Sequence, residues 1–443
     1  MRIALVSAAV VLAGAPGALA WGAAGHEIVA TIAQMHLHPD VLPVLCDILD
    51  PSSASLSNDS SPATHPPCHL APIAAWADRV RMTPAYRHTA TWHYVGAVDD
   101  SPGAACAFPG ERGWSGRRDS NVLAAVGNQT RAVAGFLDGE GGLADAADAL
   151  KFLVHFAGDM HMPLHLTGRE RGGNGAKVTF DGRMTNLHSV WDSFLIAQAL
   201  RTIPANYSRP MLGALEAHLR GSIYDGYVRR LMVDGFGVAR AAGVGRFSAV
   251  EEWLECPSDD EDMDEDTTLQ PWPIVQTVLR TLGMAAPREG LAKRNRGVRR
   301  RRHHHKRAGG DLWGWLTGST ARDEARWDDD VLCPYAWARD IHALNCAFPI
   351  WPAELDASSS KSTSTHDCGA HDHGSEGELS EGEMGEMDRR PRPHPELLEL
   401  DTPEYAGRLR EGWVVERLLA MAGIRLAGIL NGLVLGEVDV YIH

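Results

Sequence analysis

Between Leu150 and Asp192 the chain reads HFAGDMHMPLH, then a glycine-rich loop, then NLHSVWD, and this stretch limits the possible folds more than any other. His155 and Asp159 stand one helical turn apart in an otherwise apolar run (Phe152, Leu153, Val154, Phe156), so a helix presents both from one face. Pro163 stops that helix, and His165 follows on the turn, where its ring can face the same pocket from another backbone direction. His188 and Asp192 repeat the spacing on a second expected helix, with Trp191 beside them. Taken singly, either pair reads as a surface or capping pair. Together they read differently, because an apolar helix has little reason to carry His155, Asp159 and His165 inward unless something offsets their desolvation. A cation does that, and imidazole with carboxylate is a zinc-type donor set.

The remaining length must build a scaffold around this stretch. With 443 residues, 44% of them hydrophobic, and 13 Trp, there is material for a large core or for two domains. The formal net charge of -15 argues against a broad basic surface that grips duplex nucleic acid. Positive charge would have to be local, for example from metal ions.

Residues 1–20 carry Arg2, an apolar run and the small-residue end Ala18-Leu19-Ala20, the pattern of a secretory signal cleaved after Ala20. The expected mature chain starts at Trp21 and is secreted, extracellular and without a membrane span, since its most hydrophobic later stretch, Val414 to Leu435, is interrupted by Glu416, Arg417, Arg425 and Asn431. Sequons at Asn58, Asn128 and Asn206 fit that route, and seven Cys imply disulfides with one thiol left over.

In order, the freed α-amino group of Trp21 titrates near neutrality and can bind a metal, with His26 close by. Read alone, His26 is simply part of the first helical turn. Ile73 to Arg81 is expected to be a short helix with Asp78 and Arg81 on one face, where Asp78 alone would be a surface ion-pair partner. His93 lies among large apolar residues in TWHYV, a short extended or helical piece, and alone it is equally a core histidine. Val122 to Leu137 and Leu143 to Met160 are helical by periodicity. Lys177 to Gly182 alternates and ends in Asp-Gly, which predicts a small β-hairpin. The glycine loop before it lacks the Lys-Ser/Thr of a phosphate-cradling loop. Further helices are expected over Pro210 to Met232 and Glu411 to Asn431.

Two stretches lack the apolar residues of a core. Residues 257–332 contain a nearly all-acidic run and a nearly all-basic one, and 357–395 is rich in Ser, Gly, His and Glu. Both are read as disordered insertions, the basic run as a solvated loop rather than a nucleic-acid grip. The folded domain is then 21–256 with 333–356 and 396–443.

WGAAGH, WADRVR, the WHY triplet, LVHFAGDMHMPLH, GGNGAKVTFDG, NLHSVWD and WARDIHALNCAF form an ordered set. In these the chain resembles the secreted trinuclear-zinc single-strand nucleases and 3′-nucleotidases of fungi and plants, the S1/P1 nuclease family, whose fold is related to bacterial zinc phospholipases C. The resemblance implies a mainly α, phospholipase C/nuclease-like single domain holding three zinc ions. It would place one zinc on Asp78, His93, His155 and Asp159, a second on His165, His188 and Asp192, and a third on Trp21, His26 and the shared Asp159. His161 is left as a neighbour. It also implies a disulfide between Cys106 and Cys346. The remaining cysteines are read as Cys46 with Cys68 and Cys256 with Cys333, leaving Cys368 as the odd thiol.

The implied activity is zinc-assisted hydrolysis of phosphodiester bonds in single-stranded DNA and RNA to 5′-phosphate products, with 3′-nucleotides as further substrates, by a monomer. Asp78 and Asp159 act through the metals, Arg81 stabilises charge at phosphorus, and Tyr94 offers a stacking face. Fungal members carry an Asp for the base two positions after the aromatic residue; here Gly96 stands there, with Asp99 and Asp100 nearby. The competing readings are a zinc phospholipase C using the same cage, and a secreted zinc-binding protein without turnover.

Overall fold

The computed structural model describes residues 21–50, 66–96, 119–211, 213–238, 249–256, 332–347, 350–355 and 397–436, with residues 108, 245–247, 328 and 440 beside them. Among these residues the chain is mainly helical, with one two-stranded sheet. The proposed leader, Asn58, Asp99, Asp100, Cys106, Cys368 and the segment 357–395 lie outside the described residues, as does most of 257–332.

The first helix, α1 (Ala23–Met35), is buried along almost its whole length. It is followed by α2 (Val41–Leu49), and the Cys46–Cys68 disulfide ties α2 to the next described segment. The expected single helix over Ile73 to Arg81 is instead two short ones, α3 (Ala71–Ala74) and α4 (Trp76–Val80), interrupted at Ala75. Arg87–His93 is a 3-10 helix that delivers His93.

α5 (Val122–Leu137) begins where Asn121 caps it, the side-chain oxygen accepting from the Leu123 and Ala124 N–H groups at 3.0 Å each. A turn through Gly139 and Gly141 leads back into α6 (Leu143–Asp159), which packs along α5. The expected hairpin is present as β1 (Lys177–Phe180) paired antiparallel with β2 (Arg183–Asn186). Asp181 and Gly182 between them have φ of 53° and 68°, a two-residue turn whose twist suits a hairpin. Glu399 caps this turn, its carboxylate accepting from Asp181 and Gly182 N–H.

The NLHSVWD stretch is a composite helix. It opens as α7 (Leu187–Ser189), widens into a π-turn over Val190–Phe194, and continues as α8 (Leu195–Arg201). Such turns are frequent at functional sites. The helix expected over Pro210 to Met232 is broken into a 3-10 turn at Ala214–His218, α9 (Asp225–Arg230) and a π-turn at Leu231–Gly235. Asp225 accounts for part of the break, since its side chain accepts from Gly221 and Ser222 N–H and holds a local turn.

Beyond residue 327, Asp328 caps α10 (Pro334–His342) by accepting from Tyr335 and Ala336 N–H, and α11 (Leu344–Ala347) follows. The Cys256–Cys333 disulfide holds the start of α10. Cys346 is also disulfide-bonded, and the described cysteines leave its partner outside the described residues.

After α12 (Arg408–Glu411), the helix α13 (Val414–Leu435) runs through the centre of the core and packs against α1, α5 and α6. It is long and apolar enough to cross a membrane, with a mean hydropathy of 1.9, but 78% of the window concerned is buried inside the fold. Core burial explains that apolarity. Its charged residues have long-range contacts. Arg425 donates to the Trp253 carbonyl at 2.8 Å and to His161 Nε2 at 3.0 Å, and Glu416 lies 3.7 Å from Arg230.

Candidate metal centre

The interruption at Ala75 is where the site begins. It leaves the Ala74 carbonyl directed at α6, where it accepts from His155 Nδ1 at 2.7 Å. In the same way His165 Nδ1 donates to the His93 carbonyl at 2.6 Å, and His188 Nδ1 donates to the Gly172 carbonyl at 2.6 Å. Each backbone acceptor fixes a tautomer with the proton on Nδ1, which leaves Nε2 with its lone pair for a metal. These carbonyls were not anticipated from side-chain spacing. A signal for one of them was present in the Gly172-Gly173 pair. A Cβ on Gly172 would lie 2.5 Å from the Leu164 carbonyl oxygen and 3.6 Å from His188 Nδ1, so only glycine lets the loop approach this closely.

Residues far apart in sequence converge here. His155 Nε2 is 3.1 Å from His93 Nδ1, and His93 Nδ1 is 2.9 Å from Asp159 Oδ2. Asp78 Oδ1 lies 3.7 Å from His93 Nδ1 and 3.8 Å from His155 Nε2. His26 stacks on His155 with ring centroids 3.8 Å apart, and its Nε2 is 3.4 Å from Asp159 Oδ1. His165 and His188 stack at 5.0 Å, with Asp192 completing their group.

Three sets of donor atoms lie within 4.8 Å of one another: His26 with Asp78 and His155, His93 with His155 and Asp159, and His165 with His188 and Asp192. The last matches the expected grouping. In the other two, His26 groups with Asp78 and His155, while its expected neighbour Asp159 is still close by. Trp21 is fully buried; a Cβ on Gly158 would lie 3.7 Å from its ring, and the next residue, Gly22, donates to the Asp192 carbonyl at 2.8 Å.

All of these side chains are buried, and Asp78 Oδ1, Asp159 Oδ1, Asp192 Oδ1 and His165 Nε2 have no hydrogen-bond partner. Buried oxygen and nitrogen acceptors without donors are strongly unfavourable in a metal-free fold and are what a divalent cation satisfies. The protonation pattern agrees. Burial raises the Asp192 carboxyl well above its usual range, and Asp78 and Asp159 raise it further. Asp159, which burial would also raise, is held well below it by His155 and His165. Burial pulls His155 down, but Asp159 and Asp78 outweigh it and lift the ring to about 9. Burial drives His165 down to about 3, Asp159 opposing. The carboxylates thus repel one another and keep a proton on the His155 ring, as expected of a negative cage that cations neutralise.

Around the cage, Arg81 Nη2 is 3.4 Å from Asp78 Oδ1. Tyr94 is 51% exposed beside buried His93. Gly96 is buried, and a Cβ there would fall 2.6 Å from Gly168 N, so the position has no room for a side chain. His161 stays out of the cage, with Nδ1 bonded to the Ala157 carbonyl at 2.7 Å and Nε2 accepting from Arg425. Asn128 and Asn206 are exposed.

A helical core enclosing adjoining His/Asp clusters of this kind is one that could hold divalent metal. The S1/P1 Nuclease family model matches residues 21–235. Endonuclease 3 of Arabidopsis thaliana is 31% identical over 224 residues, 50% of this chain and 69% of that protein. Nuclease P1 of Penicillium citrinum is 38% identical over 175 residues, and Nuclease S1 of Aspergillus oryzae 35% over 179, each across 40% of this chain. The matches span 58% and 55% of those two fungal proteins, a little over half their length. The chain belongs to the S1/P1 nuclease family.

Proposed function

We propose that the protein is a zinc-dependent endonuclease that hydrolyses phosphodiester bonds in single-stranded DNA and RNA to 5′-phosphate products and also acts on 3′-nucleotides. The observation that carries this is the convergence of His26, Asp78, His93, His155, Asp159, His165, His188 and Asp192 into adjoining buried clusters beside Arg81 and exposed Tyr94. Relatives named as nucleases and endonucleases support it. In this reading three zinc ions are held, with Trp21 contributing its terminal groups to one of them.

Bound zinc would supply Lewis acidity, activating water and polarising the phosphate. The protein's own groups do the rest. The carbonyls of Ala74, His93 and Gly172 keep three imidazoles in the ligating tautomer. Asp159 turns one oxygen to the His93–His155 side and the other toward His26 and His165, so it serves adjoining clusters. Arg81 stabilises the charge that gathers on phosphorus in the transition state. Tyr94 stacks an unpaired base, which favours single strands, because a duplex presents no free base face.

We also propose secretion after cleavage at Ala20 and action as a monomer; the Cys46–Cys68 and Cys256–Cys333 disulfides support an oxidising compartment. The deciding experiment assays denatured DNA, RNA, a 3′-nucleotide and phosphatidylcholine with zinc-loaded protein, before and after chelation. Chelator-sensitive cleavage of the nucleic acids is expected. Hydrolysis of phosphatidylcholine alone, or turnover indifferent to chelation, would overturn the reading.

A further inference from the structure

The loop carrying His165 is held at both ends by a segment far away in sequence. At its start, the Asn345 side-chain amide donates to the Pro163 carbonyl at 2.8 Å and to the His342 carbonyl at 3.2 Å. At its far end, the Arg169 guanidinium lies over the Trp351 ring, 4.1 Å from its centroid. The two holding residues are themselves joined, Trp351 Nε1 donating to Asn345 Oδ1 at 3.1 Å. An indole N–H can only donate, so it fixes the Asn345 oxygen toward Trp351 and the amide nitrogen toward Pro163. Both Asn345 and Trp351 are buried.

Between these two anchors the loop meets the site. The His165 carbonyl accepts from Val95 N at 2.8 Å, and its ring donates to the His93 carbonyl. Gly168 packs directly on Gly96, two residues beyond Tyr94. A displacement of Pro163 or Arg169 would therefore shift the His165 imidazole and the backbone that carries Tyr94.

We propose that Asn345 and Trp351 form a clamp that positions His165 for metal binding. Both are positioning residues that act through the loop, and both lie outside the region matched by the family model. The proposal rests on the metal-centre reading above. Outer partners that hold a ligating histidine contribute about 10–100-fold to metal affinity, and that is the effect expected here.

The test uses full-length zinc-loaded protein competed with graded chelator, following retained zinc by elemental analysis and the melting temperature in parallel. Asn345→Asp keeps the size and the Trp351 acceptor but sets an oxygen against the Pro163 carbonyl. Trp351→Phe keeps a ring beneath Arg169 while removing the donor. The zinc held through His165 is expected to leave at about 10–100-fold lower chelator in Asn345→Asp, and at several-fold lower chelator in Trp351→Phe. The remaining zinc should leave as in the parent. If Asn345→Asp does not fold, Trp351→Phe decides. Unchanged release in folded variants, or an equal shift of all the zinc together with the melting temperature, overturns the clamp. A parent that holds no zinc overturns the metal-centre reading itself.

Discussion

Gly158 on α6 faces the His26 ring so closely that a Cβ there would lie 2.7 Å from Nδ1 and 3.0 Å from Cε1. Both atoms belong to one rigid ring and His26 is fully buried, so the ring has nowhere to retreat except out of its cluster. Gly158→Ala should therefore lower bound zinc and reduce turnover at least tenfold. Elemental analysis and a single-strand cleavage assay on the same preparation check this. Full zinc content in the variant would contradict it.

Gly423 gives the matching control away from the cage. A Cβ there would meet Ile32 Cγ2 at 2.5 Å and the Val29 carbonyl oxygen at 3.2 Å, where α13 crosses α1. Gly423→Ala should destabilise the fold by about 1–3 kcal/mol through overpacking while leaving the number of zinc ions per folded molecule unchanged. Denaturant unfolding with the metal content measured beside it reads both quantities.

Arg81→Ala should lower kcat by about 100- to 1,000-fold with little change in KM, since the charge it stabilises grows only in the transition state. Arg81→Lys should recover part of that loss. Steady-state kinetics on a short single strand would show the split; a change confined to KM would assign Arg81 to ground-state binding.

Substrate choice follows from Tyr94 and Gly96. With stacking available at Tyr94 and no side chain possible at Gly96, cleavage of the four homopolymeric single strands should agree within about tenfold. Tyr94→Ala should raise KM about 10- to 100-fold for all four alike. Gly96→Asp should lower stability, because the added Cβ meets the Gly168 backbone. A strong preference for one base would mean that another group reads base edges.

Asp340 on α10 makes stability depend on pH. Burial pushes its carboxyl up to about 6, with Arg425 and Arg339 pulling it back. Between its ordinary value near 3.8 and about 6 the folded chain therefore holds a proton that the unfolded chain has released. The Asp340 contribution is accordingly present in acid and lost as pH rises through that window, by at most about 3 kcal/mol. The parent should lose stability relative to Asp340→Asn over this range. Parallel unfolding curves at all pH values would disprove it.

Much of the grouping of these His and Asp side chains was legible from residue order because most of them sit on helices with strong local signals. The apolar periodicity around His155 and Asp159 and the Asp181-Gly182 turn are local properties, and the chain obeys them. What escaped depends on distant contacts. The interruption at Ala75 has its counterpart in a carbonyl that His155 engages from α6, and nothing in Ile73 to Arg81 announces that bond. Arg425 reads as an obstacle to an apolar helix until Trp253 and His161 are brought against it. Asn345 looked like one more residue of a terminal motif, because its partner Pro163 is remote in sequence.

The divided carboxylate of Asp159 has a consequence for supply. Since one oxygen faces His26 and the other His93 and His155, these two sides share one carboxylate, and metal held on them would load in concert, apart from the His165–His188–Asp192 cluster. Such a protein would respond to scarcity with a threshold in that shared pair, and local zinc availability would set how many molecules are working at a given moment.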